Sequence, residues 1–247
     1  MNDNSLPLAG SLNSSPDSLY TAEATERLAR QWTKNMWNGL LWKQVSWLGV
    51  PVQQWPTDLI LMQQLIFRLR PRVILEAGVY LGGTAVFYSS MLNMMQIDGQ
   101  VISVDIAIHP EARVNTANCA YSDRITLLEG DSKSPATHEK IQQLVGGETN
   151  VLVCLDSDHS YAHTLAELRV FARYIPVGGY MIMFDTVCEI VADTPSGNPQ
   201  WATDNPLRAV REFLASQPTD GPQFVIDNDC EKFLVTFCPS GFLRRVR

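Results

Sequence analysis

Five short apolar runs recur along the middle of this chain, and each gives out at a carboxylate. They finish at Glu76, Asp105, Asp131 (after a turn at Gly130), Asp156 and Asp185, at successive intervals of 29, 26, 25 and 29 residues. One strand plus a crossover helix in a parallel sheet needs about that length. The rhythm predicts strands over Val73–Glu76, Val101–Asp105, Ile125–Glu129, Val151–Asp156 and Tyr180–Asp185. It predicts helices between them over Thr84–Asn93, Glu111–Ala120, Pro135–Leu144 and Tyr161–Tyr174. The fold class implied is α/β, a Rossmann-like doubly wound and mostly parallel sheet. Ligands of such sheets bind outside the carboxyl ends of the strands. Five acids in register at those ends are therefore candidates for one site.

The flanking regions read differently. Met1 to about Pro16 is polar and rich in Ser, Asn and Pro, a candidate disordered arm. Ser18 or Thr21 caps a helix through Ala24, Leu28 and Trp32. Trp32, Trp37, Trp42 and Trp47 then recur every five residues, which is not one helical face. They are expected to pack an N-terminal extension onto the core, or to form a lid or subunit contact. Pro56 and Asp58 open a helix over Leu59–Leu69 that ends before Pro71. Residues 1–70 thus form an arm and helical extension, and residues 71–247 the cofactor-binding domain. Beyond Asp185, Val187 to Pro206 reads as a long loop. Leu207–Ala215 is helical. Gln223–Ile226 and Phe233–Phe237 are expected to pair as an antiparallel hairpin.

With 247 residues and 45% hydrophobic side chains, one sizeable core is available. A net charge of -7 argues against a nucleic-acid or anionic-membrane surface. The basic cluster Arg244, Arg245 and Arg247 reads as a solvated tail. Five cysteines without C-x-x-C spacing argue against disulfides or zinc and for a reducing, cytoplasmic setting. Cys154 reads as core filler. No signal peptide or membrane-spanning run is seen.

The chemistry concentrates around R-V-I-L-E-A-G-V-Y-L-G-G, residues 72–83. Strand, glycine turn and helix make a nucleotide-type cofactor site. Gly78, Gly82 and Gly83 permit close backbone approach, and Tyr80 lies in the same turn. Glu76 at its mouth would repel a pyrophosphate and suits a cofactor bearing a cation and hydroxyls. This disfavours a nicotinamide cofactor and points to S-adenosylmethionine. Asp105 is placed to take ribose hydroxyls, and Asp131 with Ser132 to reach an adenine edge. Asp156 and Asp185 end neighbouring strands, so both can reach one hard cation such as Mg2+, which would polarise a substrate hydroxyl. His159 follows Asp156 by three residues and suits a general base. His163 reads as helix surface or core, and His109 and His138 as exposed.

With those residues in view, the chain resembles the cephalosporin hydroxylase/rhamnosyl O-methyltransferase family. The matching stretches are I-L-E-A-G-V-Y-L-G-G-T-A-V-F-Y, V-I-S-V-D-I, R-I-T-L-L-E-G-D-S, C-L-D-S-D-H-S-Y-A-H-T-L-A-E-L and N-P-L-R-A-V-R-E-F-L, then G-F-L-R-R near the end. The resemblance implies a class I methyltransferase that transfers methyl from S-adenosylmethionine to a hydroxyl of a small-molecule secondary metabolite or sugar, commonly with Mg2+. It implies Glu76, Gly78, Gly83 and Asp105 for the cofactor, Asp156 also at the cofactor, and Asp156 and Asp185 for the metal. His159 would be the base, beside a catalytic Asp156. Where relatives often carry two adjacent acids, this chain has Phe184-Asp185, and Asp158 is the expected substitute ligand. A homo-oligomer is expected. The alternatives are a hydroxylase or hydroxylase partner, for which no two-histidine-one-carboxylate set is found, and a non-catalytic interaction protein on the same fold.

Overall fold

The computed structural model describes residues 21–247; the arm expected over Met1–Pro16, and Ser18, lie outside them. Helix α1 (Ala22–Asn38) starts at Thr21, whose hydroxyl accepts from the Ala24 amide at 3.1 Å. This satisfies one of the free N–H groups of the first turn. A two-stranded antiparallel ribbon follows, β1 (Ser46–Trp47) with β2 (Val50–Pro51). Helix α2 (Pro56–Leu69) leads into the main sheet.

The predicted rhythm is present. Strand β3 (Val73–Ala77) is followed by α3 (Gly83–Met94), β4 (Gln100–Asp105), α4 (Pro110–Ala117), β5 (Ile125–Glu129), α5 (Pro135–Val145), β6 (Val151–Leu155), α6 (Tyr161–Phe171) and β7 (Tyr180–Met183). Then come α7 (Cys188–Val191), α8 (Pro206–Ala215), β8 (Phe224–Ile226) and β9 (Phe242–Arg245). The seven strands lie in the order β5-β4-β3-β6-β7-β9-β8. The first five are parallel, and β9 and β8 add an antiparallel edge. The switch in winding direction falls at β3, between β4 and β6, where such sheets open a ligand crevice.

Both faces of the sheet are covered. On one face Ile74, Leu152, Cys154 and Ile182 meet Leu61, Met62 and Ile66 of α2 and Phe87, Tyr88 and Met91 of α3. On the other, Val73, Leu75, Val153 and Met181 meet Ile141 of α5, Leu168 and Phe171 of α6, and Val210 of α8. Alternate residues of each central strand thus serve opposite layers, which is why the strands read as unbroken apolar runs. Cys154 is core, as expected, and all five cysteines are free.

Several expectations are corrected. The hairpin forms, but its second strand is Phe242–Arg245, not Phe233–Phe237. The 233–237 segment is held elsewhere: Phe237 is 1% exposed and packs on Trp37 and Trp55, and its amide donates to Asp58 Oδ2 at 2.8 Å. Arg244 and Arg245 are consequently strand residues, and Arg245 donates to the Ile175 carbonyl. The stretch after Asp185 is not all loop, because α7 and a 3-10 turn at Pro199–Ala202 interrupt it. His138 is buried at 3% exposure, stacked on Tyr174 with its Nδ1 2.9 Å from the Tyr174 hydroxyl. His109 is exposed and accepts from the Glu111 amide at the start of α4.

The tryptophans do pack an extension onto the core. Trp37 stacks on Trp42, with ring centroids 5.6 Å apart, and meets Trp201 and Phe237 edge-on. Trp47 meets Phe87 edge-on and donates to Ser90 Oγ at 2.8 Å. Trp32 stays 54% exposed.

Candidate active site

Two adjoining cavities open at the carboxyl ends of the parallel strands. The larger, of about 520 Å³, lies over β4, β3 and β6 and takes in Asp105, Asp131, Ser132 and Asp158. The smaller, of about 220 Å³, lies between the β1–β2 ribbon and the ends of β6 and β7, and takes in Trp42, Thr84, His159 and Asp185. Gly78, Tyr80, Asp156 and Ser157 belong to both.

The dividing wall depends on Gly78. Its φ is +95°, and a Cβ there would stand 1.8 Å from the Asp156 carbonyl oxygen. Only glycine lets the chain leaving β3 pass that close to the end of β6. The Gly78 amide donates to the Val104 carbonyl at 2.8 Å, and the Asp156 amide to that of Ala77 at 2.7 Å. Asp105 fixes the same turn, with Oδ2 accepting from the Val79 amide at 2.8 Å and Oδ1 from the Ala107 amide at 3.2 Å. Tyr80 follows with a positive φ of 42° and a 59% exposed side chain. Asp131 Oδ1 accepts from the Lys133 amide at 2.9 Å.

The glycines and Glu76 divide by position. Gly82 caps α3 in the left-handed region with φ 80°, and Gly83 lines the smaller cavity where its α-carbon passes Pro51 and Val52 of the ribbon. Glu76 lines neither cavity. It is 1% exposed, directly across the β3–β4 pair from Ser103, whose hydroxyl donates to it at 2.6 Å. Burial pushes its carboxyl up to about 7, against the lowering effect of Ser103 and Thr84.

The smaller cavity holds the charged cluster. Asp156 stands one residue and Asp185 two residues past the last paired residues of β6 and β7, and Asp185 has a positive φ of 53°. His159 Nε2 lies 3.4 Å from Asp156 Oδ1 and 3.3 Å from Asp185 Oδ2, and is a buried atom with no hydrogen-bond partner among the described residues. Burial pulls the imidazole down, but Asp185 and Asp156 outweigh it and hold its pKa at about 9. Asp185 is raised to about 6, by burial first, against the pull of His159. A third group closes on Asp156: Gln54 Nε2 donates to Oδ2 at 2.6 Å, and Gln54 is 3% exposed.

The two carboxylates approach the same imidazole nitrogen from neighbouring strands, and oxygen ligands of this kind suit a hard cation; the groups that come within 4.8 Å of one another among the described residues are those of His159, Asp185 and Cys188. Asp158 does not join them. It is exposed in the larger cavity, and its Oδ1 accepts from the Ser160 amide at 2.8 Å. Phe184 is 2% exposed in the core and turned away from the site. Cys188 has its sulfur close to Asp185 and His159, but burial and the two nearby aspartates push the thiol far up, so it stays protonated.

Gln54, Trp42, Ser157, His163 and Glu167 are site residues that sequence reasoning did not single out as such. Gln54 lies in a stretch with no periodicity and Trp42 in a five-residue spacing that matches no helical face, so only the fold shows where they arrive. His163 and Glu167 carried a signal: they are four residues apart on a helix that follows an acidic strand end, so they share its cavity-side face.

The chain is similar to known proteins. The family described as Rhamnosyl O-methyltransferase/CmcI matches residues 40–246. The rhamnosyl O-methyltransferase of Mycobacterium leprae is 26% identical over 166 residues, spanning 66% of this chain and 69% of its own. That of Mycobacterium tuberculosis H37Rv is 26% identical over 228 residues, spanning 90% and 86%. Among solved structures, CmcI in an Mg–SAM form aligns with a TM-score of 0.62 at 22% identity, over 83% of this chain and 78% of that one. The apo form of CmcI gives 0.60, over 83% and 77%, at the same identity. These structural likenesses speak for the fold.

Proposed function

The chain belongs to the Rhamnosyl O-methyltransferase/CmcI family, and from that premise we propose that it is an S-adenosylmethionine-dependent O-methyltransferase acting on a hydroxyl of a small molecule, a sugar or secondary metabolite, with a divalent metal assisting. The observation that carries this reading is the pair of adjoining cavities with a common wall at Gly78, Tyr80, Asp156 and Ser157. One is large enough for a nucleoside-bearing cofactor, the other holds the charged cluster, and a group can pass only where they meet.

In this reading Asp105 takes the ribose hydroxyls, and Asp131 and Ser132 face the base. Asp156 and Asp185 would hold Mg2+, and their oxygen donors suit such an ion. When bound, the sulfonium supplies an electrophilic methyl and the cation supplies Lewis acidity at the acceptor oxygen. Gln54 holds Oδ2 of Asp156, which leaves Oδ1, the oxygen beside His159, facing the smaller cavity. His159 Nε2 is the atom placed to receive the acceptor's proton. As described, it is held protonated by the two aspartates. It acts as a base once those charges are compensated. Trp42 and the ribbon wall off one side of the acceptor space. That exclusion of water strengthens the charge interactions inside.

Calorimetric titration with S-adenosylhomocysteine, followed by methyl transfer to a panel of glycosides with and without EDTA, tests this. Binding by the wild type is expected, with weaker binding by Asp105→Ala. Turnover should fall with EDTA and in Asp185→Ala. No binding by folded protein overturns the cofactor assignment, and turnover indifferent to EDTA removes the metal.

A further inference from the structure

Glu167 is a buried carboxylate that the reaction above does not use. It lies on α6 one turn beyond His163 and is 0% exposed. Burying an ionised carboxylate is costly unless donors satisfy it. Here two hydroxyls do so, both from the wall of the larger cavity, with an imidazole close by. The Ser132 hydroxyl donates to Oε1, and the Ser157 hydroxyl reaches both oxygens, at 2.7 and 2.8 Å. His163 Nε2 is 3.1 Å from Oε1. The hydrogen bonds of Nε2 run to the Ser157 and Ser132 oxygens, at 3.2 and 3.5 Å, and because both hydroxyl hydrogens go to Glu167 the ring nitrogen donates to those oxygens.

The consequence lies on the cavity side. A serine hydroxyl has one hydrogen and two lone pairs. Ser132 and Ser157 each commit their hydrogen to Glu167. What they present to the cavity is lone pairs only, so this part of the wall accepts hydrogen bonds and cannot donate them. An adenine offers an exocyclic amine, which donates. A hypoxanthine carries an oxo group at the same position, which accepts and would face lone pairs.

The geometry points to Glu167 as a positioning residue that fixes the hydrogen-bond polarity of Ser132 and Ser157, and so makes the larger cavity select an amino-bearing purine over its oxo counterpart. This rests on the reading that the larger cavity holds S-adenosylmethionine. Replacing Glu167 with Gln keeps the shape but adds an NH2 donor. One serine then has to accept from residue 167 and is free to turn its hydrogen into the cavity.

The test compares S-adenosylhomocysteine with S-inosylhomocysteine by calorimetry on the full chain. Wild type should prefer the adenosyl compound, and the ratio of the two affinities should fall by roughly tenfold in Glu167→Gln, the scale of one mispaired buried hydrogen bond. Ser132→Ala should also narrow the ratio, because it removes an acceptor from the cavity wall while Ser157 still donates to Glu167, and it serves if Glu167→Gln does not fold. A purely structural role would weaken both ligands alike and leave the ratio unmoved. An unchanged ratio in the folded variants, with adenosyl binding intact, overturns the positioning role alone. Absence of S-adenosylhomocysteine binding to folded wild type overturns the cofactor reading and this inference with it.

Discussion

Asp58 shows how much one residue's surroundings decide. In the sequence it is a helix-opening acid, and in the fold it is 1% exposed. Its partners are Thr236 Oγ1 and the Phe237 amide, 178 and 179 residues away. Burial pushes its carboxyl up to about 7, against the lowering effect of those two bonds and with Asp185 adding to the rise. The folded state therefore holds a proton that the unfolded chain, with the ordinary value of 3.8, releases earlier. The stability this contributes is fully present below about pH 4 and is lost as pH rises through about 7. Asp58→Asn removes that titration and can still accept from Phe237 while donating to Thr236. Unfolding free energies from denaturant titration at pH 5 and pH 8 should differ less in the variant than in wild type, by a few kcal/mol at most. Glu76 titrates in the same sense, so some slope should remain. An equal slope in both proteins would show that Asp58 is not the source. At this scale the sequence marks acids by their place at strand ends. It cannot mark Asp58, Gln54 or Glu167, whose roles come from partners brought together only by folding.

The elements were the most legible part of the chain. Parallel strands buried on both faces write unbroken apolar runs, and the five expected strands form with ends within two residues of their predicted positions. The antiparallel edge was half legible. Val225 of β8 is 40% exposed, and Phe233 and Leu234 are apolar but exposed at 40% and 54%, so local composition favoured the wrong partner over Phe242 and Leu243. The glycine turn was legible as a turn but not in what it meets. A Cβ on Gly83 would come within 2.1 Å of the Pro51 carbonyl oxygen and 2.6 Å of the Val52 α-carbon. Those are backbone atoms, which cannot swing aside as a flexible side chain can. Gly83→Ala should therefore force the β1–β2 ribbon off the start of α3 and cost about 2–3 kcal/mol, like other overpacking changes. Chemical denaturation checks it. Because Gln54 lies in the chain just beyond β2, turnover should fall further than the lost stability accounts for.

On the scale of the whole molecule, the N-terminal helix α1 and the segment after β7 are joined beside the site. Residues of α1 grip the segment after β7: Lys34 pairs with Asp193, and Asn38 accepts from the Ser196 amide at 3.2 Å. Trp37 is the hub, 5% exposed, in contact with Trp42, Trp201 and Phe237. The five-residue spacing of the tryptophans showed that they do not share a helical face, but not that Trp37 would meet residues 164 and 200 positions further on. The two cavities depend on this hub unequally. Trp42, stacked on Trp37, lines the smaller one, whereas among the described residues the larger is lined by those from 78 to 163. Truncating the hub should therefore separate the two ligands. Trp37→Ala is expected to cost about 3–5 kcal/mol of stability, as large core truncations do. At a temperature where the variant is still folded, it should raise the acceptor KM while the Kd for S-adenosylhomocysteine stays near the wild-type value. Equal loss of both would mean that the aromatic cluster supports the sheet as a whole rather than the acceptor side of the site.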